Sequence, residues 1–139
     1  MRVMLDTNIL ISAFVFRSKK IRPVIDYILS RHELVLPSYV INELRNVVIR
    51  KFPKMIDELD KFLTTLSFTL AYTPRIIPTD LFEIRDMADA PILYTAVIEG
   101  IDVFITGDKD FDDVEIEKPL IMTIAEFENV YMFKNVYML

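Results

Sequence analysis

The sequence predicts an α/β protein, a three-layer α/β/α sandwich with a central parallel sheet of four to five strands. Short apolar runs that stop at turn-forming or acidic residues alternate with longer segments whose apolar residues recur at helical spacing. Parallel neighbours require crossover connections, so alternating strands and helices favour a sheet covered on both faces. The chain has 139 residues, 53% of them hydrophobic. This is enough for one buried core, and residues 1–139 are expected to form a single domain.

The first half of the chain predicts three strands separated by helices. An apolar run at residues 3–5 stops at Asp6, and the apolar residues after it recur at helical spacing. Ser38 suits the N-cap of a later helix, because its hydroxyl can accept a backbone N–H bond. The other elements of this half are expected at residues 23–31 and 54–66 for helices, and at residues 34–36 and 68–72 for strands.

The second half predicts two more strands and two more helices. A helix from about Asp89 to Glu99 is expected to end at Gly100, since glycine readily adopts the left-handed conformation that terminates helices. A strand at residues 102–106 then leads into a loop opened by Gly107. The remaining elements are a strand at residues 120–122 and a helix at about residues 125–133 with Thr123 as its N-cap.

Acidic residues follow two of the predicted strands. Asp6 comes after the first strand, and Asp108 and Asp110 come after the strand at residues 102–106. Ligands bind open parallel sheets beyond the carboxyl ends of their strands, where these acids are expected to meet. Glu43 borders the apolar face of its predicted helix, and Asp89 lies on the core-facing side of another, in line with its apolar residues. Crowded carboxylates repel one another without a cation, so the set indicates a site for Mg²⁺ or Mn²⁺.

Each acid also has a purely structural alternative. Asp6 and Asp89 are both placed to cap the helices that follow them, and Glu43 on a helix border is compatible with simple solvation. Asp108 lies nearer the strand end than Asp110, but the choice between them stays open. Asp86, one turn before Asp89, is assigned a capping or supporting role.

The composition excludes several other kinds of site. The chain has no cysteine, so disulfides and thiolate metal sites are excluded, and its single histidine leaves little room for a zinc centre built from imidazoles. No segment reaches the roughly 18 uninterrupted apolar residues of a membrane span. The N-terminal apolar run is too short for a signal peptide. A cytoplasmic protein that does not enter the membrane is therefore expected.

The charge is distributed unevenly along the chain. Residues 1–75 contain 12 Lys/Arg against 7 Asp/Glu, whereas residues 76–139 contain 4 against 14, and the net charge is −5. A net negative charge argues against binding nucleic acid by bulk positive charge alone. The basic runs form either a solvated face or phosphate contacts beside the acids. The candidates for phosphate contacts are Lys19, Lys20, Arg45, Arg50, Lys51 and Lys54.

Four segments of the chain carry the candidate acids. They are Leu5-Asp6-Thr7-Asn8-Ile9-Leu10, Pro37-Ser38 followed by Glu43-Leu44, Asp86 to Pro91, and Ile105 to Phe111 with Thr106 and Gly107. Together these segments resemble the ordered motifs of PIN-domain ribonucleases, especially the small bacterial and archaeal ones, many of which are toxins of toxin–antitoxin pairs. Their order and approximate spacing match along essentially the whole chain, and the set is more specific than any one motif.

This resemblance implies an endoribonuclease that depends on Mg²⁺ or Mn²⁺. Asp6, Glu43, Asp89 and Asp108 match the acidic quartet of the family, and Asp110 leaves the fourth position ambiguous. Asn8 and Thr106 are the implied polar supports. One or two metal ions would bridge the carboxylates, with RNA as the substrate.

The resemblance also implies possible protein partners. An antitoxin could neutralise the acidic groove, and an apolar tail at residues 131–139 would favour a homodimer. The alternative is a PIN-fold protein-binding module without turnover. A receiver-like phosphotransfer domain is disfavoured, because Asn8 stands where such a domain would need a second acid.

Overall fold

The computed structural model of this protein contains one parallel five-stranded sheet. Its strands are β1 (Arg2–Leu5), β2 (Glu33–Pro37), β3 (Phe68–Ala71), β4 (Val103–Ile105) and β5 (Leu120–Met122). They lie in the order β3-β2-β1-β4-β5, and every neighbouring pair is parallel. The structure describes residues 1–78, 82–84 and 87–133. The predicted parallel sheet is confirmed at the upper end of the expected strand number.

Helices connect these strands. The α-helices are α1 (Thr7–Phe14), α2 (Arg22–Arg31), α3 (Ser38–Lys51), α4 (Ile56–Thr65), α5 (Ala90–Ile98) and α6 (Ile124–Phe127). A short 3₁₀ turn at Pro53–Met55 precedes α4, another at Met87–Asp89 precedes α5, and a third at Lys109–Phe111 follows β4. A π-helix at Glu128–Met132 continues α6. The helix predicted at residues 54–66 therefore begins as a 3₁₀ turn, and the one predicted at residues 125–133 is mostly π-helical.

The burial of the central strands shows that both faces of the sheet are covered. Val3, Met4 and Leu5 in β1 are all fully buried, although consecutive strand residues point to opposite faces. The same holds for the whole of β4. A strand buried on both sides requires a layer above and a layer below it. The structure thus has the predicted α/β/α sandwich, with the core on either side of β1 and β4.

The strand order reverses its direction at β1. The chain passes from β1 to β2 and β3 on one side, and then crosses back to β4 and β5 on the other. Leu5 is paired with Ile105, so β1 and β4 end level with each other. A crevice forms beyond the carboxyl ends of strands at such a reversal and is the usual ligand site of an open α/β sheet. Asp6 and Asp108 follow these two strands directly or nearly so.

Two of the predicted helix caps are confirmed and one is wrong. Gly100 has a φ of +64° after α5, and Thr123 forms a reciprocal capping box with Glu126 at the start of α6. Ser38 is not an N-cap, because it is already the first residue of α3 and Pro37 occupies the cap position. The Ser38 hydroxyl instead accepts the backbone N–H of Thr73 (2.9 Å), tying α3 to the segment after β3.

Two sequence-based predictions fall outside the described part of the chain. These are the supporting role of Asp86 and the end of the apolar tail at residues 134–139. Among the residues that the structure does describe, no helix is both long and apolar enough to cross a membrane.

Candidate active site

Asp6 is held rigidly at the end of β1. Its backbone N–H donates to the carbonyl of Ile105 (3.0 Å), which continues the ladder between β1 and β4 by one residue. Its Oδ1 accepts the N–H of Thr7 (2.8 Å), and its Oδ2 accepts the hydroxyl of Thr106 (2.6 Å). The side chain is 9% exposed. Asp6 therefore caps α1, as the structural alternative expected, while its carboxylate lies at the crevice.

The surroundings of Asp6 disfavour its ionised form. Burial raises the pKa of Asp6 above its ordinary value, and the negative charge of Asp108 raises it further. The hydrogen bonds from Thr106 and Thr7 act in the opposite direction without cancelling the effect. A buried carboxylate next to a second carboxylate is electrostatically destabilised until positive charge arrives.

Glu43 lies on α3 and faces the same crevice. Burial raises the pKa of Glu43, and the charge of Asp6 adds to this rise. The hydroxyls of Thr7 and Tyr39 partly oppose it by favouring the carboxylate. Glu43 is thus half-buried beside Asp6, although its position on the helix border was equally compatible with a solvated role. The structure brings these two predicted acids together.

A second group of acids lies where β4 ends and α5 begins. Asp89, Asp108 and Asp110 each offer one carboxylate oxygen, and these three oxygens all lie within 4.8 Å of one another. Asp89 ends the 3₁₀ turn before α5, and it makes no side-chain cap to that helix. Asp108 is the link to the first group, since its charge acts on Asp6. The five predicted acids therefore form two neighbouring groups that Asp108 connects.

The loop that carries Asp108 and Asp110 is fixed from both sides. The N–H of Asp108 donates to the Thr106 hydroxyl (3.0 Å), and the N–H of Asp110 donates to Oδ1 of Asp108 (2.9 Å). Phe111, at the end of this loop, is 2% exposed, and its ring packs edge-on against Phe104 of β4 with the centroids 5.1 Å apart. Buried aromatic packing thus anchors an otherwise polar loop, so the acids are presented by a rigid support.

The donor set fits a hard divalent cation. Carboxylate oxygens are the preferred ligands of Mg²⁺ and Mn²⁺, and a shared ion at about 2.0–2.6 Å from each ligand keeps the ligands within about 4–5 Å of one another. The three oxygens of Asp89, Asp108 and Asp110 meet that limit. Next to them, burial and, to a smaller degree, the neighbouring carboxylates raise the pKa values of Asp6 and Glu43. A bound cation would favour the ionised forms of these two carboxyls.

The other predicted site residues are more scattered. Asn8 is exposed in the first turn of α1, and Thr106 is buried between Asp6 and Asp108. Arg45 forms an ion pair with Asp60 of α4, so its charge is already paired within the protein. The remaining basic candidates are exposed and make no ion pair with any other residue in the described ranges: Lys19, Lys20, Arg50, Lys51 and Lys54.

Tyr39 belongs to the site but was not predicted from the sequence. It lies one helical turn before Glu43 on α3, its hydroxyl donates to the carbonyl of Ala88 (2.9 Å), and it favours the ionised form of Glu43. Ala88 immediately precedes Asp89, so Tyr39 connects the helix of one acid to the turn of another. The spacing of four residues from Glu43 was the available signal, because such residues share a helix face.

Comparison with known proteins assigns the family. The PIN domain family matches residues 2–110, and the chain belongs to this family, whose members are typically nucleases that use divalent metals. A solved structure with a similar fold is VapBC2 from Rickettsia felis bound to a DNA fragment from their promoter. It superposes with a TM-score of 0.67 at 17% identity, over 88% of this chain and 98% of the other. No match was found among curated proteins.

Proposed function

We propose that this protein is a metal-dependent endoribonuclease that hydrolyses phosphodiester bonds in RNA. One observation carries the proposal: a carboxylate oxygen from each of Asp89, Asp108 and Asp110 lies within 4.8 Å of the other two. Asp6 and Glu43 lie next to this group, and the charge of Asp6 raises the pKa of Glu43. Membership of the PIN domain family supports the same chemistry. Mg²⁺ or Mn²⁺ is the proposed cofactor, because the donors are all carboxylate oxygens.

The residues divide into ligands and supports. Asp6, Glu43, Asp89 and Asp108 would hold the metal, with Asp110 as a fifth carboxylate in reach of Asp89 and Asp108. When bound, a divalent cation supplies the positive charge that polarises a phosphodiester and acidifies a water molecule. The protein's part is to keep the carboxylates fixed. Rigid placement matters because a displacement of about 1 Å can cost on the order of 100-fold in rate.

Thr106 and the backbone around it provide this rigidity. The Thr106 hydroxyl orients Asp6 and receives the N–H of Asp108, so one side chain sets the position of acids from two strands. Asp6 keeps Oδ1 on Thr7 and Oδ2 on Thr106, and both bonds favour its charged form. The chain needs no serine nucleophile or histidine base for this reaction, which suits a protein with a single histidine.

Cleavage of a mixed panel of single-stranded RNAs by purified protein tests the proposal. The reactions contain Mn²⁺, Mg²⁺ or EDTA, and the Asp6→Asn variant is assayed beside wild type. A matched control is Glu115→Gln, which removes an exposed carboxylate outside the crevice. Cleavage that requires metal, disappears in Asp6→Asn and persists in Glu115→Gln is the expected result. Folded protein that cuts none of the RNAs with either metal would favour the alternative of a binding module without turnover.

We further propose that the protein acts in the cytoplasm as the toxin of a toxin–antitoxin pair. The similar solved structure is of VapBC2 with promoter DNA, but at 17% identity that likeness supports the fold alone. The proposal of an antitoxin partner therefore rests on membership of the family and on charge, since an antitoxin with a basic side chain would be attracted to the acidic crevice. Mixing the purified product of the adjacent gene with this protein tests the pairing. Formation of a complex that no longer cuts RNA is expected, and size measurement of each species would also reveal a homodimer.

A further inference from the structure

A groove runs along the outer face of α3, starting at the acidic crevice. Its volume of about 440 Å³ lies within the range of about 300–1,000 Å³ that is usual for ligand sites. One of its lining residues, Glu43, also belongs to the candidate active site. We call it the α3 groove, and it is lined by Tyr39, Asn42, Glu43, Asn46, Val47 and Arg50.

Two amide side chains of the α3 groove are available to a ligand. Asn42 and Asn46 are exposed, and neither amide makes a hydrogen bond to any other residue in the part of the chain that the structure describes. Each amide carries both donors and an acceptor, the combination needed to read the edge of a nucleotide base. Because both amides are exposed beside the carboxylates, they can exchange their bound water for a polar ligand that lies across the groove.

Arg50 closes the far end of the groove with a positive charge. It is exposed and makes no ion pair within the described ranges, whereas Arg45 on the other side of the same helix is bound to Asp60. Lys51 and Lys54 are exposed close to it along the chain. Glu43 and Arg50 are seven residues apart, or about 10 Å along the helix axis at ~1.5 Å per residue. The groove thus leads from an acidic end at Glu43 to a basic end at Arg50.

We propose that the α3 groove binds the single-stranded RNA next to the cleaved phosphate and reads the identity of its bases. This inference rests on the proposed ribonuclease function and names where its substrate lies. Arg50 binds a backbone phosphate, Asn42 and Asn46 form hydrogen bonds with base edges, and Val47 supplies apolar contact to a base. Single strands fit this role because their base edges are free, whereas those of a duplex are paired. The charge order, anionic at the metal and cationic beyond it, is complementary to a polyanion that must reach a metal site.

Binding and cleavage are measured with three groove variants and a control. Asn42→Ala, Asn46→Ala and Arg50→Gln alter the groove, and Lys61→Gln removes an exposed charge on α4 as the matched control. Labelled single-stranded RNA is titrated at several salt concentrations against each variant carrying Asp6→Asn, so that cleavage does not interfere. Cut sites in a mixed RNA pool are then sequenced for each variant with Asp6 intact.

The expected results differ between the two kinds of residue. Arg50→Gln weakens binding of all sequences and lowers the salt slope by about 0.7, the value for one phosphate contact with a single strand. Asn42→Ala and Asn46→Ala change the preference for particular bases beside the cut by roughly tenfold, the scale of one base-specific contact. Lys61→Gln changes neither quantity.

Two other outcomes lead to distinct conclusions. A wild-type protein that cuts no RNA would contradict the proposed function itself. A wild-type protein that cuts RNA, with the same cut sites and salt slope in every groove variant, would leave the function standing and overturn the groove. The second conclusion also holds if the variants lose only self-association or binding of a protein partner, because the α3 groove would then be a protein interface.

Discussion

The Thr106 hydroxyl donates a 2.6 Å hydrogen bond to Asp6 and thereby joins the ends of β1 and β4. The same hydroxyl accepts the backbone N–H of Asp108 (3.0 Å). One small side chain therefore fixes two acids that are about a hundred residues apart in sequence. Neither bond is required by the sheet itself, whose ladder reaches Asp6 through its backbone. Thr106 is best understood as a positioning residue of the candidate site.

Replacing Thr106 by valine tests this role. Valine preserves the shape of the buried side chain but removes its hydroxyl, so Asp6 and Asp108 each lose a hydrogen bond that holds them in place. We expect kcat for RNA cleavage to fall by about 10- to 100-fold, the range typical of residues that orient metal ligands, with little change in KM. Thr106→Ser is the matched control, because it retains the hydroxyl and should keep most of the activity. Equal kcat values in the two folded variants would contradict the assignment.

Removing the charge of Asp6 should stabilise the metal-free protein while abolishing activity. Burial and the nearby Asp108 raise the pKa of Asp6, so its ionised form is unfavourable at neutral pH. An asparagine side chain at this position is neutral and has nearly the same shape. We expect Asp6→Asn to raise the free energy of unfolding by about 1 kcal/mol, within the range found when strained functional sites are relieved. Urea unfolding in EDTA measures this, with Glu115→Gln as the control for loss of an exposed charge. A lower stability of Asp6→Asn would argue against electrostatic strain in the crevice.

The positions of the acids could be predicted from the sequence to different degrees. Asp6 and Asp108 follow apolar strands, and the rule that ligands bind beyond the carboxyl ends of parallel strands predicted that both lie at the same edge of the sheet. Their adjacency depends on β1 pairing with β4 across the reversal of strand order, which no local pattern encodes. Asp110 shows how far the sequence could resolve the site. The sequence left open whether Asp108 or Asp110 is the fourth acid, and in the structure both lie close to Asp89.

Local signals failed where long-range contacts decide the geometry. Ser38 has the chemistry of an N-cap, but its hydroxyl is taken by the backbone of Thr73, 35 residues away. Tyr39 was overlooked because its partner, Ala88, lies on a turn whose approach to α3 is set by packing. The exposed amides of Asn42 and Asn46 in the α3 groove were likewise not predicted, whereas Arg50 was, since solvent-facing amides on a helix have no distinctive spacing. These features depend on how elements meet rather than on which elements form.

The stability of the protein should depend on pH through Asp102, which lies at the N-terminal ends of the strands, opposite the candidate site. Its Oδ2 accepts the backbone N–H of Arg2 (2.7 Å), and its Oδ1 lies 3.0 Å from Nζ of Lys118. These contacts hold the pKa of Asp102 below its ordinary value of 3.8. A carboxyl with a lowered pKa in the folded state stabilises the fold above its unfolded pKa and loses that contribution as the pH falls through the folded pKa.

We therefore expect Asp102→Asn to lower the free energy of unfolding at pH 7 by about 1 kcal/mol or less, since the ion pair with Lys118 is solvent-exposed. The difference from wild type should shrink as the pH falls below about 4, where Asp102 becomes protonated in the unfolded chain while it is still ionised in the folded protein. Urea unfolding at a series of pH values measures both effects. RNA cleavage should be unchanged, because Asp102 lies at the far ends of the strands. A stability difference that is constant down to pH 3 would show that the charge of Asp102 is not the cause.

Removing the hydroxyl of Tyr39 should impair catalysis without preventing folding. That hydroxyl can give its single proton to the carbonyl of Ala88, as in the structure, or to the carboxylate of Glu43, which lowers the pKa of that group, so it links two of the acids. We expect Tyr39→Phe to lower kcat by roughly tenfold or more at saturating metal, with KM for RNA nearly unchanged because the ring remains.

Tyr27→Phe provides the matched control for this change. The Tyr27 hydroxyl also donates to a backbone carbonyl, that of Tyr131 at 2.8 Å, but it lies away from the acids. Both variants lose one hydrogen bond to a carbonyl and should lose a similar stability of about 1 kcal/mol. Only Tyr39→Phe should also require more Mn²⁺ for half-maximal activity, since Glu43 loses a group that favours its ionised form. If the two variants differ from wild type in stability alone and by the same amount, the Tyr39 hydroxyl is structural and does not position the acids.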